Sequence, residues 1–354
     1  MLVSLTSANF SLSVWVWAVS ILFFIIACTI CLAIALRRIL RNREDAKRAK
    51  QKDAFLSYLG QIISSGATLH ENMEDMPTCN VQDMTAVFLH YFRTLRGTKL
   101  DRLKDLLSGS DIEQQIIQSS HTGLRGSRMR AVRTLSHLHS QSSVQVISDN
   151  LSSDDKYIRL TAARCLVRRK GILFLNAIIE SYIEAFPNNH KLLAAILSDF
   201  GHDAVPALED LARTSKHNTV IAGSLGALTI LMPARTSLEL TQLMASPSDT
   251  VRSSAISFAA VTEYKNTLDL LRTGLADDSI AVKISAAKTA CKFKRSDLTS
   301  ELLKLTTDES MWTRYWALRA IWATGQSGQQ FVRSLSKTNP TASDVILEMS
   351  SGYV

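Results

Sequence analysis

A period of 31 residues constrains this chain more than any other feature. Three consecutive segments, beginning at Thr250, Ala281 and Trp312, have a basic residue two positions later and an alanine three positions after that. The basic residues are Arg252, Lys283 and Arg314, and counting back by the same interval reaches Ile221, His190, Arg159 and Arg128, of which two are again arginine. The column seven positions after them stays apolar: Leu135, Leu166, Leu197, Leu228, Ala259, Ala290, Ile321. Several columns share the period, which indicates a structural repeat.

The apolar columns predict two helices in each unit. They recur at spacings of three, four and seven, as on one helical face. Another apolar column lies twelve positions before the basic residue, interrupted only by Glu209, where the neighbouring Leu208 and Leu211 suggest a slip of one. A two-helix unit of this length cannot bury its own apolar face, so neighbouring units must stack. We therefore predict an all-α chain with an α-solenoid of about seven 31-residue units over residues 110–325.

Two segments carry a family resemblance. Residues 203–208 read Asp-Ala-Val-Pro-Ala-Leu, and residues 155–166 begin Asp-Lys-Tyr-Ile-Arg and end in Leu. They resemble HEAT repeats, in particular the short HEAT-like repeats also found in phycobilin lyases. The resemblance covers roughly residues 110–325 and is confined to the repeat, so it implies a fold and no lyase activity.

The amino-terminal residues predict a membrane helix. Residues 1–36 contain no charged side chain, and residues 13–36 are an almost unbroken apolar run. At about 1.5 Å per residue such a helix reaches about 36 Å, enough to cross a hydrocarbon core of about 30 Å. A cleaved signal peptide has a positively charged n-region and a shorter apolar run, and these residues have neither. We predict a short non-cytoplasmic tail at 1–12 and a transmembrane helix at 13–36.

The basic segment at 37–52 predicts the orientation. It has eight basic and two acidic side chains, which is +6 of the formal +8 and leaves +2 for the rest of the chain. The positive-inside rule then places the carboxy-terminal part in the cytoplasm, beneath the inner membrane. Contact with anionic lipid head groups is a further expectation for this segment. Its first six basic residues are Arg37, Arg38, Arg41, Arg43, Lys47 and Arg48.

Two regions lie outside the repeat register. Residues 53–109 predict helices at 55–63, 81–95 and 100–107 with a loop at 64–80, and we interpret them as an amino-terminal cap and linker. Residues 326–354 predict a tail with one short helix near 343–349.

The sequence shows no catalytic pattern, and we predict no enzyme, no cofactor and no metal. The cysteines outside the apolar run are isolated, and no phosphate loop or nucleophile elbow is present. Some HEAT-like proteins, those resembling deoxyhypusine hydroxylase, are iron enzymes that use several His-Glu pairs. This chain has one such pair, His70-Glu71. A charge of +2 outside the basic segment also argues against nucleic acid as a partner.

The basic row of the repeat has two interpretations. It is a ligand-binding stripe or, as the HEAT resemblance implies, a structural ladder in which each basic residue bonds to an acidic residue of an inter-helix turn. We favour the ladder, formed by Arg128, Arg159, Arg252, Lys283 and Arg314 with Asp155, Asp249, Asp278 and Asp308.

Two further sets are candidates for partner binding. The row five positions later has Arg133, Arg164, Lys288 and Arg319 at its ends and small residues between them. Its spacing puts it on the solvent side of each second helix, which lines the concave face in HEAT proteins, although a solvated face remains the alternative. The second set is the aromatic cluster of the last repeat, formed by Trp312, Tyr315, Trp316 and Trp322, which is either core or interface.

The function that we predict is a non-catalytic membrane-tethered scaffold that binds a protein at the cytoplasmic face. The layout resembles bacterial membrane-anchored HEAT-repeat proteins, including the segments at 97–103 and 128–135. Some of these are encoded beside membrane glycosyltransferases, so the resemblance implies an exopolysaccharide synthesis complex as partner. A small-molecule or lipid-binding solenoid is the alternative.

Overall fold

The computed structural model describes residues 2–65, 77, 79–169, 171–262 and 264–351, and these residues contain helices and no strands. The helices are α1 (Leu2–Ser65), α2 (Val81–Thr94), α3 (Thr98–Leu107), α4 (Asp111–His121), α5 (Arg125–Leu135), α6 (Gln141–Asp149), α7 (Lys156–Arg168), α8 (Leu175–Ala185), α9 (His190–Ser198), α10 (Val205–Thr214), α11 (Asn218–Leu231), α12 (Leu240–Leu243), α13 (Asp249–Ala259), α14 (Thr267–Leu275), α15 (Ile280–Phe293), α16 (Thr299–Leu305), α17 (Met311–Ala323), α18 (Gln326–Leu335) and α19 (Pro340–Ser350). They form two compact units. The first contains residues up to Gly123 and His137–Ser140, and the second contains Leu124–Ser136 and the residues from Gln141 onward.

The first unit is built around the carboxy-terminal end of α1. Phe55 is fully buried, and its ring meets that of Phe88 on α2 edge-on, with the ring centroids 5.7 Å apart. The Tyr91 hydroxyl donates a hydrogen bond to the Leu56 carbonyl at 3.0 Å. The predicted helix at 55–63 is therefore the end of α1, whereas α2 and α3 match the predictions at 81–95 and 100–107. Most of the predicted loop, residues 66–76 and 78, lies outside the described residues.

One helix in the described part of the chain, α1, is long and apolar enough to cross a membrane. Its apolar side chains are exposed, as Phe23 and Phe24 show at 68% and 70%. The basic segment at 37–52 continues the same helix without a break.

The second unit stacks helix pairs. The second helices of successive pairs pack on one another in the order α5, α7, α9, α11, α13, α15, α17 and α19. The apolar column predicted from the period is buried, since Leu166, Leu197 and Leu228 have no exposed surface. The predicted fold class, an apolar amino-terminal helix followed by an α-solenoid of two-helix repeats, is confirmed.

Glu209 on α10 explains the polar interruption of an apolar column. Leu208, one position earlier, is fully buried. The Glu209 carboxylate accepts hydrogen bonds from the Thr236 hydroxyl and from the backbone N–H and hydroxyl of Ser237. It thereby holds the linker that precedes α12, the shortest first helix of the described stack.

The carboxy-terminal tail contains two helices where we predicted one. Helices α18 and α19 pack against α17, and Val332 and Val345 are fully buried. Gly328 allows the close approach of α18, because a Cβ there would overlap the Ile321 carbonyl oxygen. The glycine and serine content of residues 326–335 is typical of a loop, so no helix was predicted there. In the structure Gly325, with φ of 111°, makes the turn before α18, and Gly328 makes the contact with α17.

Candidate partner-binding groove

Four second helices of the second unit line an open groove. Helices α9, α11, α13 and α15 enclose a volume of about 570 Å³. We define the groove by Ala194, Gly226, Ser254, Ser257, Ser285 and Lys288, which line it. Three of them, Gly226, Ser257 and Lys288, belong to the solvent-facing row predicted from the sequence. The structure therefore brings the middle of that row together in a single concave surface.

Small side chains make the floor of the groove. A Cβ on Gly226 would lie 2.8 Å from the Ala194 Cβ, so α9 and α11 approach closely there. Between α13 and α15, the hydroxyl oxygens of Ser257 and Ser285 are 2.9 Å apart, and the Ser285 hydroxyl donates to the Ser253 carbonyl at 3.0 Å. These hydroxyls join the two helices.

The groove has a positive lining. Its ionisable residues are His190, Lys191 and Lys288, and no acidic residue lines it in the described part of the chain. Burial, helped by the nearby charge of Lys191, lowers the pKa of His190, so this imidazole is neutral at neutral pH. The two lysines are exposed and carry the charge.

Aromatic residues of α17 close one end of the groove. Trp316 lies one period after Ser285, and the Lys288 ammonium is 4.6 Å from the centre of its ring. Tyr315 meets Trp316 and Trp312 edge-on, at 5.4 Å and 5.9 Å between ring centroids. Trp312 is 60% exposed. A positive charge over an aromatic face is favourable, so Lys288 is held at this wall.

The predicted aromatic cluster divides into exposed and buried parts. Trp322 is 8% exposed, and the Arg333 guanidinium of α18 lies 5.4 Å from its ring centre, so Trp322 packs within the chain.

Arg319 is also engaged within the chain. Its Nη1 donates to the Glu348 carboxylate at 2.9 Å and to the Tyr315 hydroxyl at 3.0 Å. The sequence offered Arg319 as a partner contact, but α19, which was not predicted to reach it, supplies its counter-charge.

The basic ladder is present, and one of the four predicted acids, Asp308, is among its acceptors. Arg252 forms two bonds with Asp277, at 2.7 and 2.9 Å, and Lys283 bonds to Asp308 at 2.8 Å. Arg159 pairs with Glu184 at 2.7 Å, and Arg128 donates to the Ser153 hydroxyl at 3.3 Å. Each acceptor lies 25 residues after its donor. A ladder residue therefore reaches the turn of the next unit.

The same residues also reach their own turn. Arg159, Arg252 and Arg314 each donate to the backbone carbonyl six positions earlier, at Ser153, Ser246 and Asp308. Asp277 and Asp308 in turn accept the backbone N–H two positions later, at Ser279 and Ser310. Those bonds fix each carboxylate in the turn.

Two of the predicted ladder acids take other roles, and a third is not among the ladder acceptors. Asp249 accepts from the Ser279 hydroxyl at 3.1 Å, and Asp155 caps α7 and pairs with Arg125. Asp278 is replaced in the ladder by Asp277. The column six before the basic residue contains Asp277 and Asp308 as well as Ser153 and Ser246. This shared column was the signal that the sequence analysis missed.

The ladder carboxylates are more acidic than usual. Burial alone would raise the pKa of Asp277, but the hydrogen bonds from Arg252 and the Ser279 N–H outweigh it and hold the pKa below its ordinary value. The pKa of Asp308 is lowered in the same way, by Lys283 and the Ser310 N–H against burial. Both carboxylates are therefore ionised at neutral pH.

The other predicted residues lie on open surfaces. Arg133 on α5 and Arg164 on α7 are exposed. The six basic residues at 37–48 are exposed on α1, directly after its apolar stretch. The described residues contain no group of three or more His, Cys, Asp or Glu side chains placed to hold a metal ion. The pair His70-Glu71 lies outside the described residues.

Comparisons with known proteins find a likeness in fold alone. No family model matches the sequence, and no curated protein matches it. Among solved structures, the chain is similar to human deoxyhypusine hydroxylase in complex with glycerol, with 13% identity and a TM-score of 0.30. The match covers 66% of this chain and 92% of that one.

This comparison corrects one expectation. Deoxyhypusine hydroxylase is an enzyme, which overturns the prediction that this chain is not one. The likeness concerns a helical-repeat fold, and no activity is transferred from it to this chain.

Proposed function

We propose that this chain is a membrane-anchored HEAT-type scaffold that binds a protein partner along the groove of its second unit. The observation that carries the proposal is the composition of that groove. A floor of alanine, glycine and serine lies between exposed lysines, one of which, Lys288, contacts Trp316, and the exposed Trp312 stands one period after Ala281 of the lining. Exposed tryptophan is enriched at protein interfaces, because an aromatic side chain contributes a large contact area at little entropic cost.

The size of the floor side chains supports a partner segment that packs closely. A helix or extended segment that enters the groove meets backbone and Cβ atoms, so it can approach the second helices directly. A small molecule is usually recognised by several converging polar groups. In the groove the hydroxyls of Ser257 and Ser285 are bonded to each other and to the Ser253 carbonyl, which favours the protein partner.

The anchor in this proposal is α1. We place its apolar stretch in the inner membrane, with the amino terminus outside and the residues after the apolar stretch in the cytoplasm, because the eight basic side chains of residues 37–52 follow that stretch directly. The resemblance to bacterial membrane-anchored HEAT proteins supports a membrane complex as partner. An exopolysaccharide synthase of the glycosyltransferase type is the partner that this resemblance suggests.

A groove-filling substitution tests the proposal. Ser254 lines the groove and makes no side-chain hydrogen bond within the described residues, so Ser254→Tyr adds a ring to the groove without breaking a bond. The matched control is Ser334→Tyr on α18, an exposed site away from the groove. Affinity capture of the full chain from its native membrane in mild detergent is expected to retain a stoichiometric partner with the wild type and the control and to lose it with Ser254→Tyr. Equal capture by both variants, or recovery of the wild-type chain alone, would contradict the proposal.

A further inference from the structure

Four arginines on α5 and α7 form a cluster without counter-charge. They are Arg130 and Arg133 on α5 and Arg164 and Arg168 on α7, and we call them the arginine cluster. Within the described residues none of their side chains makes a hydrogen bond or an ion pair, and the Nε of Arg130 is buried without a partner. Neither helix contains an acidic residue. Among the described residues, the four charges of the cluster therefore have no ion-pair partner.

The other basic residues of this region are used by the fold. Arg125 pairs with Asp155, and Arg159 pairs with Glu184. Arg169, at the end of α7, donates to the carbonyls of Leu135 and Ser136. The arginine cluster thus consists of arginines of this region that take no part in these structural bonds. Like charges that stay uncompensated repel one another, and an anionic ligand relieves that repulsion.

The cluster occupies one face. Arg130 and Arg133 are three positions apart, and Arg164 and Arg168 are four apart, so each pair is adjacent on its helix. Arg133 and Arg164 are separated by one period and share the column of Gly226, Ser257 and Lys288, which lines the groove. Helices α5 and α7 pack against each other. The arginine cluster therefore continues the surface of the groove toward the amino-terminal end of the second unit.

The electrostatics of Cys165 agree with this placement. Burial raises the pKa of the Cys165 thiol, whereas the nearby charges of Arg133 and Arg168, together with other groups, lower it. Arginines from α5 and from α7 thus act on the same point between the two helices.

We propose that the arginine cluster binds an acidic segment of the protein partner, and that this segment continues into the groove. The inference rests on the proposed function and adds the chemistry of the partner. Carboxylates suit the site because guanidinium groups bind them through two parallel hydrogen bonds. A protein segment is favoured over other polyanions because the cluster leads into a floor of small side chains and an aromatic wall, and because residues 53–354 carry only +2.

The arrangement also gives the segment a direction. Its acidic side chains lie at α5 and α7, its small or apolar side chains cross α9 to α15, and an apolar side chain meets Trp312 on α17. Lys191 and Lys288 in the groove accommodate further acidic side chains on its solvent side.

The test uses the full chain in detergent and a fluorescein-labelled glutamate-rich peptide as the probe. The cluster variant is Arg133→Gln, Arg164→Gln and Arg168→Gln combined, at three exposed positions, so its melting temperature is expected to stay that of the wild type. The matched control removes three exposed charges elsewhere, by Lys216→Gln, Lys265→Gln and Lys337→Gln. We expect the cluster variant to bind the peptide about tenfold more weakly than the wild type and the control to bind it unchanged. Binding is also expected to vanish when the glutamates of the peptide are replaced by glutamine.

Several results would overturn the inference. These are absence of peptide binding to the wild type, an equal loss in both variants, or cluster-dependent binding of phosphatidylglycerol vesicles or of an oligonucleotide in place of the peptide. The capture experiment separates the two proposals. If Ser254→Tyr abolishes partner capture and the cluster variant does not, the proposed function stands and this inference fails. If the wild type captures no partner, the proposed function itself fails.

Discussion

Two stretches of the second unit are stacked by different means. Around α13, α15 and α17, the ladder residues Arg252 and Lys283 join successive turns through Asp277 and Asp308. At α9 and α11, the same register position holds His190 and Ile221, which cannot supply a permanent charge. There the helices approach so closely that a Cβ on Gly223 would lie 2.8 Å from the Leu193 side chain, and one on Gly226 2.8 Å from Ala194.

The difference teaches that one repeat can be held by charge or by close packing. The close contacts lie between α9 and α11, which are two of the four helices that line the groove, and the other two, α13 and α15, carry ladder residues. Gly226 and Ala194 form the floor of the groove there, and the larger Lys191 and Ile230 also line it. The concave surface therefore combines the two means of stacking, close packing between α9 and α11 and charge pairing at α13 and α15.

The largest effect is expected from removing a ladder cation. Arg252→Ala leaves the Asp277 carboxylate, whose side chain is only 10% exposed, without its partner, and we expect a loss of about 3 kcal/mol in the free energy of unfolding. Arg213→Ala is the control, because its pair with Asp210 is exposed and 3.9 Å long, and it should cost less than about 0.5 kcal/mol. Urea unfolding followed by circular dichroism measures both. Similar losses in the two variants would show that the ladder does not hold the stack.

A smaller effect is expected from filling the close contact. Gly226→Ala removes a flexible residue from a helix, which alone would stabilise it by up to about 1 kcal/mol, but the new methyl group meets Ala194. We expect a net loss of about 2 kcal/mol, because α9 and α11 must separate. Gly126→Ala on α5 is the matched control, since a Cβ there meets nothing within 4 Å, and it should be neutral or stabilising. Thermal unfolding of both variants decides the matter, and a stable Gly226→Ala would contradict the packing argument.

The smallest effect is a dependence on acid that the ladder variant should show and the close-contact variant should not. The pKa values of Asp277 and Asp308 are lowered in the folded state, so their contribution to stability is present above about pH 4 and is lost as the pH falls through the folded-state values. The difference in unfolding free energy between the wild type and Arg252→Ala should therefore shrink below about pH 4. The difference between the wild type and Gly226→Ala should stay constant. Urea titrations over a series of pH values test this, and two parallel pH profiles would count against the linkage.

The helical stack was predictable because its signal is repeated. Ala162 and Leu166 repeat in later units with the same spacing, and both are buried. The apolar stretch of α1 was equally clear, because no charged residue interrupts it before Arg37. A feature that occurs many times, or extends over many residues, can be predicted from the sequence alone.

Features that occur once were harder to predict. Glu209 looked like a break in the register, but it binds a linker 27 residues later. Glu348 pairs with Arg319 from a helix whose position depends on the turn at Gly325 and the contact at Gly328. The groove was predicted as a row, but its depth depends on how closely α9 and α11 approach. These are consequences of tertiary contact, and no local pattern in the sequence encodes them.

The unbroken course of α1 has a mechanical consequence. Residues 37–54 are almost entirely exposed, contain neither glycine nor proline, and lead directly to the buried Phe55. At about 1.5 Å per residue this stretch is a stiff rod of about 27 Å. With the apolar stretch in the membrane as proposed, any turning or sliding of the membrane helix reaches the packing of Phe55 against Phe88 without a hinge to absorb it. The rod would then transmit motion as well as anchor the chain. Its length would also set how far a membrane-embedded partner must extend from the membrane to contact the residues packed around Phe55.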